Sequence, residues 1–103
     1  MRFDAGMTDV PTAGTAVALS SDAGLDAEER ILWAQFKGKT GNTGTVFVGI
    51  ADVSATHGWS LANDDDIGLT LNPGEHGGSI KLGDINFDAA TNGDDVEWAL
   101  LLK

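Results

Sequence analysis

The stretch DAEERILWAQFKGK, Asp26 to Lys39, decides the fold. At a period of 3.6 it reads as a helix: Asp26 followed by Glu29 resembles a capping box, and Ile31, Leu32, Gln35 and Phe36 would line one side up to Gly38. At a period of two it reads as a strand, with Leu32, Ala34 and Phe36 alternating against Ile31, Trp33, Gln35 and Lys37. The segment runs straight into the turn dipeptide Gly41-Asn42. Beyond the turn, Val46, Val48 and Ile50 alternate with Thr45, Phe47 and Gly49, which is plainly a strand. Two strands around a tight turn suit both halves, so Arg30 to Lys39 is assigned to a strand. On that assignment Ile31 and Trp33 point away from the face of Leu32, Ala34 and Phe36, which leaves the start of the strand apolar on both sides.

The same period recurs outward from this stretch. Val17 with Leu19, then Ile67, Leu69 and Leu71, then Ile80 with Leu82, and last Val96, Trp98, Leu100 and Leu102 each occupy alternate positions. Asn72-Pro73-Gly74, Gly77-Gly78 and Asn92-Gly93 separate the runs with residues that tolerate positive φ or preset a turn. The expectation is an all-β fold: an antiparallel β-sandwich of about seven or eight strands, jelly-roll-like, with little helix. Residues 1–14 show no periodicity and read as a flexible N-terminal arm, with residues 15–103 forming a single β-sandwich domain.

Composition narrows the function classes. The 103 residues carry 16 acidic and 6 basic side chains, a formal charge of −10, and no cysteine. That length supports one domain with one thin core. Disulfide frameworks, thiolate metal sites and cysteine nucleophiles are excluded. A surface this short of Lys and Arg repels phosphate, so nucleic acid is not an expected partner. The longest apolar runs, Ile31 to Ala34 and Trp98 to Leu102, fall far below the roughly 20 residues of a membrane span. No membrane partner is expected, and without a secretory pattern at its start the chain reads as soluble and unprocessed. The acidic excess fits either ordinary solubility or a saline, halophilic habitat in which salt screens self-repulsion.

The residues that could carry chemistry do not assemble into a site. His57 and His76 sit in glycine-rich turn contexts outside any motif, without a nucleophile elbow or zinc spacing. Asp64, Asp65 and Asp66 follow Asn63 and are weak candidates for a hard cation such as calcium, but the EF-hand pattern is absent and a solvated turn accounts for them better. No catalytic residue, no cofactor and no enzymatic activity are therefore expected. Of the three tryptophans, Trp98 alternates into the core, Trp33 lies on the outer face of its strand, and Trp59 follows His57-Gly58 in a loop where it could meet a protein or stack on a sugar.

Lys39-Thr-Gly-Asn-Thr-Gly-Thr-Val-Phe-Val-Gly49, with Leu71-Asn-Pro-Gly-Glu75, Ile80 to Leu82, Ile85 through Asn92-Gly-Asp-Asp-Val96 and the apolar C-terminal strand, resembles small structural proteins encoded near the capsid genes of tailed viruses. The resemblance covers about two thirds of the chain. It departs from the pattern over Ala51 to Asp66, which is longer and more acidic. The resemblance implies a non-enzymatic capsid decoration, cement or head-fibre protein, a β-sandwich seated on the outer capsid surface of a virion, with the major capsid protein as partner and a homotrimer as the working unit. Arg2, Phe3 and Met7 on the arm would reach the shell, Ile31 and Trp33 would form half of a heterologous subunit contact, and Trp59 would serve a further interface. The alternative is a glycan- or host-receptor-binding module of a virus particle.

Overall fold

The computed structural model describes residues 2–23, 25–62, 69–71 and 80–103. Among these residues eight strands run β1 Arg2–Val10, β2 Val17–Ala18, β3 Ile31–Gly38, β4 Val46–Gly49, β5 Trp59–Leu61, β6 Leu69–Leu71, β7 Asn86–Ala89 and β8 Asp94–Leu102. A five-residue helix, α1 Leu19–Ala23, and a 3-10 turn at Leu82–Asp84 are the helical elements among the described residues. The strands form two antiparallel four-stranded sheets, ordered β1-β8-β3-β6 and β2-β7-β4-β5. First pairs with last, second with seventh, third with sixth and fourth with fifth, so the chain is one long hairpin wrapped on itself. The pairs β3·β8 and β4·β7 then join the halves of each sheet. This is the order of a jelly roll.

The period-two pattern explains the core. On β8 the even residues Val96, Trp98, Leu100 and Leu102 are buried, and they sit opposite Gly38, Phe36, Ala34 and Ile31 of β3. Val46 and Val48 of β4, Leu61 of β5 and Phe87 and Ala89 of β7 join the same buried cluster from the second sheet. Phe36 and Phe87 meet edge to face across the sandwich, with ring centroids 5.7 Å apart. Burying each such ring stabilises by about 1.5–3 kcal/mol, so these two anchor the sheets together.

Three expectations change. The strand at Arg30 to Lys39 forms, but a bulge between Ile31 and Trp33 resets its phase: Ile31 opposes Leu102 while Trp33 opposes Leu101. An extra residue in one strand reverses the faces beyond it. Ile31 is therefore fully buried rather than on the outer face with Trp33. The segment read as an arm is a strand instead: all of Arg2–Val10 pairs with β8, and Thr8 and Val10 are completely buried. Its inward positions carry Asp4, Gly6 and Thr8, too polar for hydropathy to register. The small Gly6 is required there, because a Cβ would stand 2.9 Å from the Trp98 ring. The Trp98 indole N–H in turn donates to Thr8 Oγ1 at 3.0 Å, so Thr8 is polar and inward for a reason. Finally, Ile80 to Leu82 makes a single bridge, Lys81 to Arg30, before Asp84 accepts the Lys81 N–H and curls the chain into the 3-10 turn.

The Asp26 and Glu29 signature is real but local. Asp26 accepts the Glu28 N–H through its carboxylate and the Glu29 N–H through its carbonyl, which makes a turn leading into β3.

Candidate interaction surface

The two sheets have differently finished outer faces. Beyond the second sheet lie Phe47 and Asp88, side by side on β4 and β7, and both are buried. The connection after β4 folds back over Phe47: Val53 donates its N–H to the Ile50 carbonyl, a tight Ser54–His57 turn follows, and Val53 packs down with 4% exposure. Gly58 admits it, since a Cβ there would lie 2.7 Å from Val53 Cγ2. Asp88 is covered by the turn after β1 and accepts the N–H groups of Gly14 and Ala89 at 2.9 and 2.8 Å.

A polar latch closes the end of the sandwich where β3 passes to β4. Asp94 accepts the N–H groups of Thr43 and Gly44 at 2.9 and 2.8 Å. Asn42 pairs with the Asp95 backbone in both directions, accepting its N–H and donating to its carbonyl. Asn92 accepts the Ala13 N–H at 2.7 Å. The motif residues around Gly41-Asn42 and Asn92-Gly93 thus stand in one hydrogen-bonded cluster. Because the buried acids Asp88 and Asp94 satisfy backbone donors, they serve the fold.

Over the first sheet no described loop folds back. Its outward residues fall in rows across β1, β8 and β3: Phe3, Leu101 and Trp33, then Ala5, Ala99 and Gln35, then Met7, Glu97 and Lys37. Phe3 is 65% and Met7 51% exposed, whereas Leu101 and Trp33 are half-buried. The small Ala5 and Ala99 leave a shallow groove of about 530 Å³ lined also by Met7, Gln35, Lys37 and Glu97. Lys37 and Glu97 form an ion pair of 3.5 Å along it, and Lys39 pairs with Asp95 at 3.8 Å beyond. One end of the face is aromatic and the other charged.

Of the residues singled out from the sequence, Phe3, Met7 and Trp33 come together here, and Arg2 stands at the rim with its Nη2 donating to both oxygens of Glu29 at 2.9 and 2.7 Å. Ile31 does not join them. Trp59 lies elsewhere, on edge strand β5 opposite Val48 rather than in a loop, and is 60% exposed. His57 reaches Asp52 at 3.5 Å in an exposed turn. Asp64, Asp65, Asp66 and His76 lie outside the described residues, and among the described residues no three metal-ligating side chains cluster. Leu101 faces out because Leu100 and Leu102 face in, but its place beside Phe3 depends on the pairing of β1 with β8, and Ala5 and Ala99 are too small to signal a face. No helix among the described residues is long and apolar enough to cross a membrane.

The chain matches no protein-family model, no curated protein and no solved structure.

Proposed function

We propose that this is a non-enzymatic structural protein of a virus particle, a decoration or cement protein that binds the outer surface of the capsid and stabilises it through contacts with the major capsid protein. The observation that carries the reading is the outer face of the first sheet, where Phe3, Leu101 and Trp33 make a continuous apolar row with no described loop over it, while the outer face of the second sheet is closed by the chain's own loops. Apolar rows rimmed by charge mark protein contacts. The resemblance of the glycine-punctuated turns to capsid-associated proteins supplies the location. Many copies on a repeating shell would make a modest contact sufficient, because each bound copy needs only part of the holding energy. The trimer implied by that resemblance would have to build its heterologous contact on Trp33 without Ile31, which is in the core.

Electron microscopy of purified particles labelled with an antibody against this chain tests the reading. Label on the shell exterior, lost from particles assembled with the double variant Phe3→Ser, Trp33→Ser, is the expected result. Label on the tail tip alone would overturn it. The exposed Trp59 favours a second reading, a glycan-binding module, which a glycan array of the purified protein would favour if Trp59→Ala removed the signal.

A further inference from the structure

We infer that the open edge of β1 is a self-association surface, whose partner is the β1 strand of a second copy paired antiparallel about a twofold axis at Ala5. This does not rest on the capsid reading. β1 is the outermost strand of its sheet, and its nine residues pair with β8 on one side only. Backbone groups of successive residues point to opposite edges of a strand. The Val10 carbonyl is turned toward the β8 side, where it accepts the Gly93 N–H, while the Ala5 N–H is taken by the Asp4 carboxylate at 2.9 Å instead. The amides of Phe3, Ala5 and Met7 therefore face the open edge, and all three residues are exposed.

That parity limits the registers available to two copies. With the axis at Asp4, carboxylate would oppose carboxylate. With the axis at Gly6, Phe3 would oppose Asp9, and with the axis at Met7, Ala5 would oppose Asp9 and Val10 would oppose Asp4. With the axis at Ala5, Phe3 opposes Met7 twice, Ala5 opposes Ala5, Arg2 opposes Thr8 and Asp4 opposes Gly6. Only this register sets the two exposed apolar side chains, Phe3 and Met7, against each other, and it sets no acid against an acid. It also joins the Ala5–Ala99 grooves of the two copies into one trough across a continuous sheet. The Asp4 carboxylate guards the edge, because it occupies the N–H that the partner's carbonyl needs. Charged side chains that blunt an edge are a common device against uncontrolled pairing. With ten excess negative charges on each copy, association strengthens as salt screens the repulsion.

The protein has no native cysteine, so disulfide trapping reads the register directly. Opposed residues of a hydrogen-bonded antiparallel pair have Cα atoms about 5.5 Å apart, within disulfide range. Under mild oxidation in molar KCl, Ala5→Cys is expected to form a covalent dimer on the order of a hundredfold faster than Met7→Cys, since a held pair has about millimolar effective concentration against micromolar protein. Sedimentation should show the unmodified protein as a dimer in molar KCl, and Asp4→Ala should tighten it about fivefold per copy, the worth of one net hydrogen bond. Ala5→Pro removes an N–H that β8 does not use and should leave a folded monomer. A monomer or trimer at every salt concentration, faster trapping at Met7→Cys, or a folded Ala5→Pro dimer would each overturn the inference.

Discussion

The outer faces of the two sheets are built from similar residues and end in opposite states. Phe47 on the second sheet and Phe3 on the first are both outward aromatic side chains on strands, yet Phe47 is 6% exposed and Phe3 65%. The difference lies in what the connections do. The Ile50 to Gly58 connection and the turn after β1 close over the second sheet, whereas no described connection closes over Phe3 and Met7 of the first. A face covered from within the chain contributes to folding stability. A face left bare contributes to stability only when something else covers it, which is why interaction is assigned to the first sheet.

The largest test of this contrast is to remove β1. If residues 2–10 were an arm, deletion would leave the fold intact. As a strand they cover Trp98 and supply the buried Thr8 and Val10, so the truncated chain is expected to lose its cooperative melting transition altogether, a loss comparable to the whole 5–15 kcal/mol stability of a small domain. Scanning calorimetry would show it, and a normal transition in the truncated protein would restore the arm. Next in size, Phe87→Ala removes one half of the aromatic pair between the sheets and should cost about 3–5 kcal/mol in urea unfolding. A cost below about 1 kcal/mol would mean that the sheets do not pack through this ring.

The two outer aromatics give the sharpest contrast. Phe47→Ser should destabilise by about 2–4 kcal/mol, since it leaves a polar group and a cavity under Val53. Phe3→Ser should stay within about 0.5 kcal/mol and change only association. Equal effects would erase the distinction between covered and bare faces. Of intermediate size, Asp94→Ala leaves the Thr43 and Gly44 amides without their acceptor and should cost about 1–3 kcal/mol, read as earlier hydrogen exchange in the turn between β3 and β4. The smallest expected effect is electrostatic: the melting temperature of the Ala5→Pro monomer should rise by a few degrees from low to molar salt, as ten excess charges are screened. A flat response would favour plain solubility over a saline habitat.

The course of β1 shows where hydropathy stops being informative. An inward Gly6 and an inward Thr8 look like loop residues until Trp98 is placed over one and hydrogen-bonded to the other. Trp59 shows the converse, a residue that pairs opposite the buried Val48 and still remains exposed at the end of a short edge strand.

By itself the sequence determined the fold class. Period-two alternation and turn residues depend on neighbours two to four positions apart, and Val46 to Gly49 and the buried face of Val96 to Leu102 lie where that pattern placed them. The acidic excess and the lack of cysteine are likewise properties of composition alone. Only the tertiary structure decided that Ile31 is buried, that residues 2–10 form a strand, and that Phe3, Leu101 and Trp33 share a row. Each of these depends on pairing between residues tens of positions apart, where a one-residue bulge or the choice of partner strand reverses which side chains face water.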